Sequence, residues 1–239
     1  AAKGIPVINL LGIDSNERIQ TIISVSGQPE EGSYLFFTTK LGVVKRTSVT
    51  AFANIRSNGL IAIGLKENDE LVNVLSTKGD DVMIIGTHKG YSVTFKEEVV
   101  RDMGRTAAGV RGIRLREEDY VVGASVIRDD DEVLVITENG YGKRTAGKDY
   151  PVKGRGGKGI KTANITAKNG PLAGLTTVKG DEDVLLITNK GVIIRFNVDT
   201  VSQTGRATLG VRLMRMEDDA KVVTMAMIDP EVEEIEITE

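Results

Sequence analysis

The sequence predicts an all-β protein, a propeller-like ring of four-stranded blades. Three observations predict it. A unit of roughly 50 residues recurs along the 239-residue chain, each copy carries strand-forming runs on both sides of a polar-glycine turn, and helical periodicity is weak throughout.

The hairpins come first in each unit. A turn glycine recurs at Gly42, Gly90, Gly140 and Gly191, spaced by 48, 50 and 51 residues. The first copy reads Phe36-Phe37-Thr38-Thr39-Lys40-Leu41-Gly42-Val43-Val44-Lys45, and the last reads Leu186-Ile187-Thr188-Asn189-Lys190-Gly191-Val192-Ile193-Ile194-Arg195. A run, a polar-glycine turn and a second run make a β-hairpin. A second glycine follows at Gly59, Gly109, Gly159 and Gly210, 17 residues on in the first copy and 19 in the others. It leads into a short third strand, such as Leu60-Ile61-Ala62-Ile63 or Val211-Arg212-Leu213-Met214. An acidic turn comes next, as at Asn68-Asp69-Glu70 or Asp218-Asp219, and a fourth strand such as Leu71-Val72-Asn73-Val74-Leu75 closes the unit. The expected repeats are 33–76, 81–127, 132–178 and 183–228. Residues 1–25 match only the second half of a repeat, so the expectation is a half-blade within one domain of residues 1–228, in a fragment of a longer protein. Residues 229–239 form an acidic tail. A β-sandwich is the alternative, but a period sustained four times tells against it.

Composition narrows the function classes. Hydrophobic residues make up 40% and charged residues 27%, as in a soluble globular protein. The absence of cysteine excludes disulfides and thiolate metal sites and fits a reducing cytosol. With no membrane-length apolar run and no signal-peptide pattern at Ala1-Ala2-Lys3-Gly4, a cytoplasmic location is expected. The net charge of −3 conceals segregation: six acids lie in 229–239, and the rest of the chain carries +3. Residues 141–162 hold seven basic side chains against one acidic, 101–116 hold five against one, and 40–56 hold four against none. Charge distribution, more than its sum, decides whether a nucleic acid can bind.

Basic residues also recur at equivalent places. Lys45, Arg46, Lys143 and Arg144 follow the hairpin turn; Arg105 and Arg206 precede the second glycine; Arg111, Lys161 and Arg212 follow it. The densest segment is Lys153-Gly154-Arg155-Gly156-Gly157-Lys158-Gly159. Its glycines leave backbone N–H groups uncovered for an anion. Arg155 offers a forked contact to phosphate, while Lys153, Lys158 and Lys161 offer point charges. Phosphate contacts fix position without reading sequence, so nonspecific, salt-sensitive binding is expected. A solvated surface loop is the plain alternative, as are structural ion pairs for some of the arginines. Bending a 20–30 bp site by 40–90° costs on the order of 1–6 kcal/mol, which favours a continuous cationic track over a single loop.

Other signals carry no chemistry. Gly154-x-Gly156-x-x-Gly159 has dinucleotide-fingerprint spacing but no following helix, and no Walker A sequence occurs. The sole histidine, His88, falls in a hairpin turn, and Asp129-Asp130-Asp131 lacks calcium-loop spacing. No catalytic residue, cofactor site or metal site is expected.

Several segments together resemble a known family. Gly4-Ile5-Pro6-Val7-Ile8-Asn9-Leu10-Leu11, Gly109-Val110-Arg111-Gly112-Ile113-Arg114-Leu115, Asn139-Gly140-Tyr141-Gly142-Lys143-Arg144-Thr145 and Gly205-Arg206-Ala207-Thr208-Leu209-Gly210-Val211-Arg212 are similar, in order, to the C-terminal domain of the gyrase A protein of DNA gyrase. The resemblance implies the β-pinwheel fold, whose blades share strands with their neighbours, and duplex DNA wrapped on the outer edge. It implies partners in a bacterial type IIA topoisomerase: the gyrase A N-terminal core in cis and gyrase B. ATP and Mg would be bound elsewhere in that holoenzyme, which negatively supercoils DNA; the isolated domain would be a monomer with no activity of its own, located in the cytoplasm at the nucleoid. The family's Gln-Arg-Arg-Gly-Gly-Lys/Arg-Gly box is matched by residues 153–159 in its last five positions, with Lys153 and Gly154 in place of Gln and Arg. In the family the box lies on the first blade, whereas this loop lies two blades beyond the first complete repeat. The corresponding domain of topoisomerase IV and a propeller-like protein-interaction scaffold are the alternatives.

Overall fold

The computed structural model describes residue 19 and residues 32–54 and 59–228. The half-blade expected over 1–25 and the tail at 229–239 fall almost wholly outside these residues, Ile19 excepted. Among the described residues there is no α-helix; the regular elements are strands and short 3₁₀ turns. No helix of these residues is long and apolar enough to cross a membrane.

Each repeat begins with the predicted hairpin. The pairs are β1 (Tyr34–Thr39) with β2 (Val43–Ser48), β4 (Val82–Thr87) with β5 (Tyr91–Lys96), β8 (Glu132–Thr137) with β9 (Tyr141–Ala146), and β12 (Asp183–Thr188) with β13 (Ile193–Asn197). One turn chemistry serves all four. The strand ends on a threonine whose carbonyl accepts from the glycine N–H three residues on, at 2.9–3.0 Å. Its hydroxyl accepts from the next backbone N–H, as Val43 N to Thr39 Oγ1 at 3.1 Å and Tyr141 N to Thr137 Oγ1 at 3.2 Å. The glycines take φ of +75° to +81°, which other residues adopt only with strain.

The strand closing each repeat pairs with the other edge of the hairpin's first strand: β3 (Leu71–Thr77), β7 (Val121–Val126), β11 (Leu172–Val178) and β15 (Val222–Ile228). These are the inner strands. They converge on a cavity of about 260 Å³ lined by Val72, Val122, Gly123, Leu175 and Met225, so the sheets stand around a common axis. Between the sheets lie apolar layers. Phe36, Val44, Ile85 and Phe95 fill the first interface, Ile84, Val135 and Leu172 the second, and Leu134, Val184 and Leu186 the third. Aliphatic residues make almost all of this core, as expected of a chain without tryptophan.

The third strand settles what the repeat alone left open. It does not pair within its own repeat. β6 (Val110–Arg111), β10 (Ile160–Lys161) and β14 (Val211–Arg212) each lie on the outer edge of the preceding repeat's hairpin. Three four-stranded sheets result, ordered β3-β1-β2-β6, β7-β4-β5-β10 and β11-β8-β9-β14. The fourth, β15-β12-β13, has three strands among the described residues. Leu60-Ile61-Ala62-Ile63, expected as a strand, is irregular. The second glycine is what permits the exchange. A Cβ on Gly109 would lie 2.5 Å from the Val44 carbonyl oxygen, and one on Gly159 would lie 2.5 Å from that of Ser92. Strand sharing of this kind is what the family resemblance implied.

The acidic turns support the hairpins. Asp69 and Asp119 are buried and accept from backbone N–H groups of the hairpin tip, Leu41 N and Lys89 N, each at 2.9 Å. Asp119 also accepts from Thr87 Oγ1 at 2.8 Å. Asp69 and Asp119 thus serve the hairpin tips.

Candidate nucleic-acid interface

A loop precedes each donated strand and lies over the preceding blade's outer strand. The three loops enter alike: Met103 N donates to Arg46 O at 2.9 Å, Lys153 N to Thr94 O at 2.7 Å, and Thr204 N to Arg144 O at 2.8 Å. They leave alike, with Gly112, Thr162 and Leu213 N–H groups donating to the hairpin glycine carbonyls of Gly42, Gly90 and Gly140. From entry to donated strand they carry Arg105 and Arg111; Lys153, Arg155, Lys158 and Lys161; and Arg206 and Arg212, with no acidic residue among them. Arg105 and Arg206 are half-buried and the other six are exposed.

Neighbouring loops are tied together. Arg155 Nη1 donates to the Arg111 carbonyl at 3.0 Å and its Nε to that of Val99 at 3.1 Å. Gly156 N donates to Gly112 O at 2.6 Å, and Arg114 N to Gly157 O at 2.8 Å. On the next blade Arg206 Nη1 donates to Lys161 O at 3.0 Å. The three segments therefore form one cationic band around the outer edge, and carbonyl bonds occupy part of the Arg155 guanidinium fork. Gly154 and Gly157 would meet nothing within 4 Å if given a Cβ, so their outer side is open. Gly156 and Gly159 hold the loop's left-handed turns at φ +79° and +74°.

Four of the residues expected at this interface sit elsewhere. Lys45 and Lys143 are 0% and 1% exposed. Lys45 Nζ donates to Arg105 O at 2.5 Å and to Ala62 O; Lys143 Nζ donates to Gly205 O at 2.8 Å, Arg206 O at 2.5 Å and Thr208 O at 3.1 Å. Burial pulls both amines down from the usual lysine range to about 8, helped by nearby Arg105 and Arg206 respectively; Asp102 partly opposes this at Lys45. Arg46 stacks 4.3 Å over the Tyr34 ring, donates to Gly79 O at 3.1 Å and lies 3.8 Å from Glu97. Arg144 pairs with Glu132 at 2.7 Å and with Asp199 at 3.5 Å. Direct phosphate contact by these four is corrected to structural roles: their charged groups are already engaged inside the protein. Conversely, Arg114 and Arg215 are exposed five residues after Gly109 and Gly210 and extend the band. Their shared repeat offset was the available signal.

Among the described residues no cluster of His, Asp and Glu could hold a metal ion. What the band offers is positive charge spread along a curved edge, suited to a polyanion.

Blades completed by a strand from the next repeat, with charge carried on the loops that deliver it, define a strand-exchanged β-propeller of the pinwheel type. A model of the "DNA gyrase C-terminal domain, beta-propeller" family matches four times, over residues 33–78, 81–128, 131–179 and 182–229. The chain belongs to this family. It is 63% identical over 230 residues to the DNA gyrase A protein of Streptococcus pyogenes serotype M3, covering 96% of this chain and 28% of that protein. Against the DNA gyrase A protein of Staphylococcus epidermidis the identity is 50% over 232 residues, covering 96% and 26%. The chain thus spans less than a third of these curated relatives. Among solved structures, the C-terminal domain of DNA topoisomerase IV superposes with a TM-score of 0.88 at 28% identity, covering 95% of this chain and 71% of that one. The DNA gyrase A C-terminal domain gives 0.84 at 25% identity, covering 95% and 76%.

Proposed function

We propose that the chain binds duplex DNA without sequence preference along its outer edge and wraps it. In this reading it serves as the C-terminal part of a gyrase A protein, beside the N-terminal core in cis and gyrase B, in an ATP-dependent holoenzyme that introduces negative supercoils. The domain contributes no chemistry; ATP and Mg belong to other parts of that assembly. The observation that carries the reading is the band of eight basic side chains on three linked loops, with no acid within 103–111, 153–161 or 204–212. Within the band, the DNA contacts fall to Arg105, Arg111, Lys153, Arg155, Lys158, Lys161, Arg206 and Arg212, with the open backbone of Gly156, Gly157 and Gly159. Charges tied along a curved edge offset the cost of bending in small increments, which one loop cannot do.

The high identity to gyrase A proteins favours gyrase over topoisomerase IV, although the fold is shared with both. The test is relaxation of nicked circular DNA bound to the chain, followed by ligation and measurement of linking number. A shift that grows with protein supports wrapping; binding with no shift would refute it. No binding to duplex at 50 mM salt would instead favour a protein-interaction scaffold.

A further inference from the structure

The buried lysines have a part to play in the interface they do not touch. Lys45 and Lys143 occupy the third place after the hairpin glycines Gly42 and Gly140, where the other two repeats carry Val93 and Ile194. Each reaches from a β-strand into the loop delivered by the following repeat. Around Lys143 the carbonyls of Gly205, Arg206 and Thr208 converge on one Nζ, which also meets Thr208 Oγ1 at 3.1 Å. Thr145 Oγ1 holds the start of the same turn by donating to Thr204 O at 2.8 Å. Around Lys45 the acceptors are Arg105 O and Ala62 O, with the Phe37 ring 5.0 Å away. The outer side of both turns is open, since a Cβ on Gly104 or Gly205 would meet nothing within 4 Å.

We infer that Lys45 and Lys143 are positioning residues for DNA: each draws the arginine carbonyl of a Gly-Arg turn inward, so that the turn presents Arg105 or Arg206 rather than oxygen to a phosphate. The inference rests on the DNA-wrapping reading. Its physical core is the sign of the charges. Carbonyl oxygens turned outward would repel phosphate, whereas an ammonium holds them inward by charge-assisted hydrogen bonds. A neutral amine holds them more weakly. The charged groups facing these amines are Arg105 and Asp102 at Lys45 and Arg206 at Lys143. With both amines near pKa 8, the turns are held most firmly below that pH. The Gly-rich loop at 153–159 has Val93 beneath it and is instead tied through Arg155 and Gly156 to the neighbouring loop.

The experiment measures affinity of the full chain for a labelled 40-bp duplex at fixed salt from pH 6.5 to 9.5. Wild type, the double variant Lys45→Met/Lys143→Met, and Lys143→Met with and without Arg206→Ala are compared. Wild-type affinity is expected to fall across pH 8. The double variant should bind roughly 5- to 60-fold more weakly at pH 7, the upper figure corresponding to two lost phosphate contacts at 0.1 M salt, and should be flat across pH 8. Arg206→Ala should cost affinity in wild type and little in the Lys143→Met background. Folded variants with wild-type affinity and pH profile would overturn the inference, as would full additivity of Lys143→Met and Arg206→Ala. If the variants fail to fold, a flat wild-type profile across pH 8 overturns it alone. Absence of binding by wild type at 50 mM salt is the separate failure of the wrapping reading.

Discussion

Replacing Lys153, Lys158 and Lys161 together by alanine tests the cationic band where its charge is densest. All three are exposed on one loop and its donated strand, and none belongs to the apolar layers between sheets. Each neutralised phosphate contributes about 0.9 to the slope of log K against log salt. Three lost contacts should therefore flatten the slope by about 2.7. Extrapolated to 0.1 M salt, each contact is worth about one decade, so affinity should fall roughly 500-fold, or about 3.7 kcal/mol. Stability should change by no more than about 0.5 kcal/mol, because surface positions without buried partners rarely cost more. Fluorescence anisotropy with a 40-bp duplex at 50–300 mM KCl reads the slope, and urea unfolding reads the stability. The control is Lys190→Ala, a lysine at the fourth hairpin tip, outside the band. A slope change below about 1, or an equal loss in Lys190→Ala, would refute the assignment of DNA contact to this edge.

The exchanged strands make a paired prediction: Gly109→Ala, with φ +94° and a Cβ 2.5 Å from Val44 O, should cost more than about 3 kcal/mol, whereas Gly59→Ala, with φ +76° and open space among the described residues, should cost about 1 kcal/mol in urea unfolding. Glu97 is 0% exposed and accepts from Thr77 Oγ1 and Gly79 N, each at 2.7 Å, so Glu97→Ala should lower stability by about 3 kcal/mol. Asp183 is held below the usual carboxylate range, first by its hydrogen bond from Arg195 and then by that from Asn197. Its folded value lies below its unfolded one, so its stabilising contribution is present above pH 3.8 and fades as pH falls through the folded value. Carboxyl NMR titration of Arg195→Ala should show Asp183 moving back up, and an unmoved titration would exclude Arg195 as the cause.

The hairpins were legible because their chemistry is local: Thr39 through Val43 contain all the atoms that make the turn, and the pattern repeats at each glycine. The destination of the third strand was not. Val110-Arg111 has the same sequence character whichever edge it joins, and only the close approach of Gly109 to Val44, 65 residues away in the chain, decides the matter. The band was legible as recurring arginines in the delivered loops, yet the same recurrence misplaced Lys45 and Lys143. Lys45 shares the inward face of its six-residue strand with Val43 and Thr47, and one of its acceptors, Arg105 O, belongs to another repeat. The partners of Asp69 and Asp119 were hidden for the same reason: the hairpin-tip N–H groups they accept from lie 28 and 30 residues away in the chain.

Delivery of a strand to the preceding neighbour also bears on how such chains change length over evolutionary time. Val110-Arg111, Ile160-Lys161 and Val211-Arg212 are interchangeable plugs, and each socket presents an equivalent glycine carbonyl at Gly42, Gly90 or Gly140. Excising or duplicating one whole unit in the gene rejoins a plug to a matching socket without inventing a new contact surface. The units can therefore be counted up or down, and each added copy lengthens the charged arc by one loop while the joints stay the same.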